Sequence, residues 1–231
     1  MASLKRVKRM LRKVFLMAVS LSVGQLFAFE YQGNSLNGER DGLWITTNKG
    51  SVLSRCHYKE GLLDGSCIKY DASELPTSIG TYLNGQQHGN WQYFENGVLK
   101  SEGPYIADEK HGIWALYDEN GKLSLKKEFR HGVEDGLVEK YQPNGQLEYS
   151  HPKFDGLAQG LWVDFYDSGQ VKSIGSYDGF RKIGIWSYYY SNGQLQMRGT
   201  YFGREKIGDW LYYEPDGTLS RIPMKNADED I

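Results

Sequence analysis

The sequence predicts an all-β fold, an elongated single antiparallel sheet built from about eight tandem β-hairpins. A glycine recurs every 23 or 24 residues, and in six of these units a tryptophan follows it by two residues. The opening glycines are Gly42, Gly65, Gly89, Gly112, Gly136, Gly160, Gly184 and Gly208. The tryptophans are Trp44, Trp91, Trp114, Trp162, Trp186 and Trp210. A fixed period of this kind indicates that one supersecondary unit is copied along an axis, with each copy burying its face against its neighbours.

The first strand of each unit carries the tryptophan and ends near a second aromatic residue. From the second unit on, these aromatics are Tyr70, Phe94, Tyr117, Tyr141, Phe165, Tyr189 and Tyr213. A turn follows, and Asn-Gly or Asp-Gly between β-formers is the strongest short hairpin signal because a tight turn needs positive φ. The turns are Asn96-Gly97, Asn120-Gly121, Asn144-Gly145, Ser168-Gly169, Asn192-Gly193 and Asp216-Gly217.

The second strand carries an aromatic residue seven positions before the next opening glycine. These residues are Tyr58, Tyr82, Tyr105, Phe129, Tyr177 and Tyr201. The links between units are short, so sequential hairpins are expected to pair side by side in one sheet of roughly 16 strands. Aromatic rows stacked between neighbouring units would supply most of the burial. A closed barrel is the competing arrangement, and the constant period with two atypical ends favours an open array.

One segment shows the whole pattern, the run GIWSYYYSNGQLQMRGTY from Gly184 to Tyr201. It resembles a MORN-type repeat, especially the bacterial MORN-variant branch described as antitoxin-like, and the resemblance covers about residues 31–223. It implies an elongated β-hairpin array with a role in membrane association, scaffolding or protein binding. Two units depart from the pattern, with Cys67 and Val138 in place of the tryptophan.

The first 28 residues have the three-part pattern of a secretory signal peptide. A basic region ending at Lys13 precedes an apolar stretch from Val14 to Val23, and Ala28 offers a small residue for cleavage. We therefore expect a leader at residues 1–28, a repeat array at 29–223 and an acidic tail at 224–231, with the mature protein periplasmic or secreted. The alternative is an uncleaved anchor, although the apolar stretch is short for a span of about 20 residues.

Removing the leader makes the protein acidic. The chain has 27 basic and 29 acidic residues. Six of the basic residues fall in the leader, which leaves 21 basic against 29 acidic residues and a net charge of −8. The six basic residues of the leader are Lys5, Arg6, Lys8, Arg9, Arg12 and Lys13. This balance argues against nonspecific binding to nucleic acid or to anionic lipid headgroups.

The two cysteines follow from the pairing register of the repeat. If Tyr58 pairs with Gly65, and equivalent residues pair in later units, each tryptophan faces a fixed position in the preceding strand. The opposed pairs are Gly33 with Trp44, Gly80 with Trp91, Gly103 with Trp114, His151 with Trp162, Gly175 with Trp186 and Gly199 with Trp210. An indole can lie across a strand where that strand has no side chain. The same register opposes Cys56 and Cys67, which predicts a disulfide in an exported chain. Two buried free thiols are the alternative.

No pattern of catalytic, metal-binding or cofactor-binding residues recurs in the units. His88 and His111 share one repeat position, but equivalent residues of adjacent units are about 9.6 Å apart, too far to share a zinc ion. No serine lies on a strained elbow, and no glycine cluster has phosphate-loop spacing. We therefore expect no enzyme activity, no metal site and no cofactor.

The candidate binding residues are one aromatic row, formed by Tyr117, Tyr141, Phe165, Tyr189 and Tyr213. The row either forms core or lines a face that binds a partner, and the sequence leaves both readings open. The expected function is a non-catalytic, exported protein-binding or scaffolding module, with a protein as its partner and no nucleic acid. Two alternatives remain, an antitoxin-like neutraliser of a partner protein and an array that associates with membrane lipid.

Overall fold

The computed structural model describes residues 15–18 and 28–220, and their secondary structure consists of β-strands joined by turns. The strands are β1 Phe15–Ala18, β2 Ala28–Leu36, β3 Glu39–Asn48, β4 Ser51–Lys59, β5 Leu62–Tyr70, β6 Pro76–Leu83, β7 Gln86–Glu95, β8 Val98–Ile106, β9 Glu109–Lys110, β10 Gly112–Tyr117, β11 Leu123–Arg130, β12 Val133–Tyr141, β13 Leu147–Phe154, β14 Leu157–Phe165, β15 Val171–Asp178, β16 Arg181–Tyr189, β17 Leu195–Gly203 and β18 Glu205–Tyr212. The predicted acidic tail, and the predicted leader apart from residues 15–18 and 28, lie outside the described residues.

The strands fall into two compact units. The first contains residues up to 99 together with 104–109, and the second contains residues 100–103 together with those from 110 onward. In the first unit each strand from β2 to β7 pairs antiparallel with the next, and β1 pairs with β2. In the second, β10 to β18 pair in the same way, and residues 101–102 of β8 pair with β10. The predicted all-β class and the antiparallel pairing of tandem hairpins are confirmed in each unit.

A β-bulge lies at the opening glycine of most units, and it corrects one expected pairing. Tyr58 pairs with Leu63 and not with Gly65, although Cys56 still pairs with Cys67 as predicted. The opening glycines all have positive φ, for example +103° at Gly65, which lets the chain accommodate two extra residues between these pairs. The bulge therefore places the residue two before the opening glycine, and not the glycine itself, opposite the repeat aromatic of the preceding strand, as at Leu63 opposite Tyr58 and Lys182 opposite Tyr177.

In most of the predicted hairpin turns only the glycine, and not the residue before it, has positive φ. Only in the Asn96-Gly97 turn, among the six predicted, do both residues have positive φ. In the others the glycine alone has positive φ, as at Gly193, whose N–H donates to the Tyr190 carbonyl at 2.9 Å. The Tyr190 N–H in turn donates to the Gln194 carbonyl at 2.8 Å. This is a type I turn closed by a left-handed glycine, the usual alternative to the two-residue hairpin turn.

The core of each unit is a single row of side chains along one sheet face. Trp91 in the first unit and Trp114, Trp186 and Trp210 in the second are all buried. We call this side of each sheet the tryptophan face, and the other side the opposite face. Because side chains alternate across a strand, the residues next to each tryptophan point to the opposite face.

Candidate functional site

Each of five tryptophans lies against a glycine of the preceding strand, as the register predicted. A Cβ atom added to any of these glycines would overlap the indole of its tryptophan. The pairs are Gly33 with Trp44, Gly80 with Trp91, Gly103 with Trp114, Gly175 with Trp186 and Gly199 with Trp210. Three indole N–H groups also donate to the carbonyl that follows the glycine, as Trp186 does to Ser176 at 3.2 Å. The glycine is needed here because only a bare backbone admits the ring.

A basic side chain covers four of these tryptophans, a feature that the sequence reasoning missed. The cation comes from the residue two before the opening glycine and lies 4.0 to 4.8 Å from the indole centroid. The pairs are Arg40 with Trp44, Lys110 with Trp114, Lys182 with Trp186 and Lys206 with Trp210. Burial lowers the pKa of Lys110. The recurrence of a basic residue two before the opening glycine was visible in the sequence. Its position over the indole ring depends on the bulge, which the sequence did not show.

The cysteine pair replaces a glycine–tryptophan pair, as predicted. Cys56 and Cys67 oppose each other in β4 and β5 with their Cα atoms 4.0 Å apart, and the structure joins them in a disulfide. Both side chains are buried on the tryptophan face. The bond therefore takes the place in the core that an indole occupies in other units.

The unit that lacks a tryptophan at Val138 contains a cluster of charges that the sequence reasoning also missed. Lys127 pairs with Val138, so a lysine stands at the position that is glycine in five other units. The Glu134 carboxylate accepts hydrogen bonds from both Lys127 and Lys153. Burial opposes the charge on Glu134, but the two ammonium groups outweigh it and hold the pKa of this carboxyl below its ordinary value. Applying the register to Val138 would have indicated Lys127.

Trp162 is packed differently from the other tryptophans because it faces a histidine. The His151 ring stacks on the indole with centroids 4.0 Å apart and planes 13° apart. The Trp162 N–H donates to Asp164 Oδ1 at 2.8 Å and not to a backbone carbonyl. His151 is buried, its Nδ1 atom has no hydrogen-bond partner, and burial together with the Lys153 charge lowers its pKa to about 4. His151 is thus a neutral core residue at pH 7.

The predicted aromatic row lies on the opposite face, near the hairpin turns, and all five residues are half-buried. The Tyr117 hydroxyl donates to Glu102 at 2.6 Å, and this bond together with burial raises the pKa of Tyr117 to about 12. The Tyr141 hydroxyl donates to Glu139 at 2.8 Å. No direct ring contact joins the row members among the described residues. Binding by this row stays a prediction.

A second row on the opposite face of the second unit is aliphatic and exposed. Its members follow successive opening glycines by one residue and expose 44 to 62% of their surface. They are Ile113, Leu137, Leu161 and Ile185. Phe154 and Phe180, at neighbouring connections between hairpins, are also exposed and line a shallow cleft. The sequence analysis did not select these residues, although their shared repeat position was visible.

Within the described residues, no group of three or more His, Cys, Asp or Glu side chains is placed to hold a metal ion. No helix in this part of the chain has the length and apolar character needed to cross a membrane. The expected absence of catalytic residues, metal and cofactor stays a prediction.

The repeats match a known family model. The model described as MORN repeat variant matches five segments, at residues 87–107, 110–131, 134–152, 158–178 and 182–202. The chain contains five MORN repeats of the variant type. No protein of curated function matches the chain. The units that open at Gly42, Gly65 and Gly208 follow the same phase outside the matched segments.

Each MORN repeat begins at the residue two before its opening glycine, which is the position whose side chain covers the tryptophan in four units. The five starting residues are Gln87, Lys110, Glu134, Ala158 and Lys182. MORN repeats are commonly protein- or membrane-binding modules, and the repeats here are compatible with either role. The bacterial, antitoxin-like branch stays a prediction.

Proposed function

We propose that this chain is a non-catalytic, exported MORN-repeat protein that binds a protein partner through the opposite face of its second unit. The observation that carries the proposal is the exposed aliphatic row of Ile113, Leu137, Leu161 and Ile185. Equivalent residues of adjacent repeats are two strands apart, about 9.6 Å, so the row presents apolar groups at regular intervals. Exposed apolar side chains grouped on one face and bordered by polar residues are typical of an interaction site.

A protein surface is a better occupant than a lipid headgroup layer. The mature chain has a net charge of −8, with 21 basic and 29 acidic residues, which disfavours anionic membranes. Glu128 pairs directly with Ile113 and accepts a hydrogen bond from the Leu137 N–H, so an acidic group lies between two members of the row. The complementary surface is therefore apolar with a basic margin.

Export is supported by the leader pattern of residues 1–28 and by the disulfide between Cys56 and Cys67. Structural disulfides persist in oxidising compartments and are rare in the cytosol. The proposed location is the periplasm or the medium. An antitoxin-like role would be a special case of the same binding, in which the exported partner is neutralised.

The test compares two surface variants of the mature chain. Leu137→Ser/Leu161→Ser/Ile185→Ser removes most of the aliphatic row. Ser66→Ala/Asn90→Ala changes the same repeat position in units where it is already polar. All five side chains are exposed, including Leu137 at 44%, so both variants should keep the unfolding free energy of the wild type within about 0.5 kcal/mol.

We expect a protein captured from the exported fraction to bind the wild type and the Ser66→Ala/Asn90→Ala variant equally in calorimetry. Its Kd for the triple-serine variant should rise at least about tenfold, as hot-spot loss does. Equal affinity for all three proteins would contradict the proposed face. Flotation with phosphatidylglycerol vesicles that is lost in the triple-serine variant would identify a membrane as the occupant instead.

A further inference from the structure

Four units of this protein place one of their own cations inside a group of aromatic rings. In the unit that opens at Gly184, the Lys182 ammonium lies 4.0 Å from the Trp186 centroid, 5.4 Å from Tyr188 and 5.0 Å from Tyr201. It also donates a hydrogen bond to the Tyr188 hydroxyl at 2.9 Å. Rings within about 6 Å of a cation attract it through their quadrupoles. This arrangement is an aromatic cage filled from within the chain.

The unit that opens at Gly160 has the cage without the cation. Its residue at the position of Lys182 is Ala158, whose methyl group cannot reach the rings. Trp162 stands at the position of Trp186, and Tyr177 at that of Tyr201, with ring centroids 5.2 Å apart. Among the described residues no lysine or arginine lies over the Trp162 ring, and its indole is partly exposed, whereas Trp186 is 1% exposed.

The third wall of this cage is acidic. Asp164 occupies the position that Tyr188 has in the filled cage. Its carboxylate is fixed by two donors, the Trp162 N–H at 2.8 Å and the Ser173 hydroxyl. A carboxylate beside aromatic rings favours a cation more strongly than a tyrosine hydroxyl does. Compared with the filled cage, this unit has Ala158 in place of a lysine and Asp164 in place of a tyrosine. It therefore lacks an internal cation and carries a carboxylate that attracts an external one.

The basic side chain opposite Ala158 is engaged by a carboxylate. Lys153 pairs directly with Ala158, but its ammonium group is bound by Glu134, which also binds Lys127. The rings of His151 and Tyr149 both stack on Trp162 and fix the plane of its indole. The walls are therefore set before any ligand arrives, which limits the entropy lost on binding.

We propose that Trp162, Tyr177 and Asp164 form a binding site for an alkylammonium cation. Aromatic rings recognise N-methylated cations because such ions combine positive charge with an apolar surface. Free quaternary ammonium compounds and the methylated lysine side chain of a partner share this chemistry. The site lies on the tryptophan face, so it is independent of the proposed interaction of the opposite face.

The experiment uses the full mature chain, in which all six tryptophans are replaced by 5-fluorotryptophan and observed by ¹⁹F NMR. The resonance that disappears in Trp162→Phe is assigned to Trp162. Tetramethylammonium should shift the Trp162 resonance in a saturable way, and the uncharged isostere tert-butanol should shift it far less. Ala158→Lys should weaken tetramethylammonium binding at least about tenfold, because it supplies the internal cation found in four other units. Asp164→Asn should weaken binding of the cation without changing the response to tert-butanol.

The reciprocal variant is Lys182→Ala, which empties the filled cage and should add a second saturable shift, at Trp186. A peptide carrying trimethyl-lysine, titrated beside tetramethylammonium, distinguishes the two sources, since tighter binding of the peptide indicates a partner side chain. The proposal is overturned if neither probe shifts Trp162, or if Ala158→Lys binds both as well as the wild type. It is also overturned if only Lys153→Met exposes the site, since Lys153 would then be the cation that fills it.

Discussion

The indole of Trp186 lies across the backbone of Gly175 in the preceding strand, and a Cβ atom on that glycine would overlap the ring. The backbone of this glycine does not have positive φ, so glycine recurs at this position of the units because the indole leaves no room for a side chain, and not because of the backbone conformation. The same relation, repeated in five pairs, forms the core of the array.

Gly175→Ala should lower the unfolding free energy by about 1–3 kcal/mol, the usual cost of overpacking. Urea unfolding followed by circular dichroism measures the loss. In a Trp186→Val background, where the indole is absent, the same substitution should cost less than about 1 kcal/mol. An equal cost in both backgrounds would show that steric overlap with the indole is not the cause.

The disulfide gives a prediction about the exported protein. Intact-mass analysis without reduction should find Cys56 joined to Cys67 and no thiol that can be alkylated. Replacing both cysteines by serine should lower the unfolding free energy by about 2–3 kcal/mol, since the enclosed loop, with a sequence separation of 11, is short. Full alkylation before reduction would exclude the bond in that compartment.

The buried His151 makes stability dependent on pH. Because burial lowers its pKa to about 4, the folded state resists a proton that the unfolded chain accepts near pH 6.5. The His151 contribution is complete above pH 6.5 and is lost as the pH falls toward 4, at a total cost of about 2–3 kcal/mol. Unfolding free energies at pH 7 and 4.5 measure the loss.

His151→Phe should flatten that pH dependence while it keeps the stacking on Trp162. The exposed His88 provides the matched control, and His88→Gln should leave the profile of the wild type unchanged. An unchanged slope in His151→Phe would assign the acid sensitivity to carboxylates such as Glu134.

Two glutamates of strand β12, Glu134 and Glu139, differ in the ion pairs that they form. Glu134 bridges Lys127 and Lys153, and Glu134→Gln should cost about 1–3 kcal/mol because it leaves two half-buried ammonium groups without their anion. Glu139 is 4.0 Å from the partly exposed Lys126, and Glu139→Gln is expected to cost at most about 1 kcal/mol. Thermal and urea unfolding compare the two variants, and equal losses would mean that the double bridge adds nothing.

The aromatic row on the opposite face can be tested at Tyr189. The side chain is half-buried, so Tyr189→Ala should cost about 1–3 kcal/mol, below the 3–5 kcal/mol of a fully buried aromatic, and leave partner affinity unchanged. Trp186→Ala supplies the buried comparison. Unchanged stability with a loss of about 2 kcal/mol in affinity would instead place the row in the binding face.

The sequence by itself determined the hairpin array and the pairing of its core. A constant period fixes which residues of neighbouring strands oppose each other, so Trp186 over Gly175 and Cys56 against Cys67 could be read from spacing alone. The same rule gave the wrong partner for Tyr58, which pairs with Leu63 and not with Gly65. The positive φ of Gly65 creates a bulge there that the spacing of residues does not show.

Only the tertiary structure decided what the side chains around that core do. The bulge brings Lys182 over Trp186, and the long side chains of Lys127 and Lys153 converge on Glu134 from different strands. Reach and direction set these contacts, and neither follows from position in the repeat. The exposure of Ile185 was equally hidden, because an aliphatic residue in a strand predicts burial until the sheet is seen to have no second layer among the described residues.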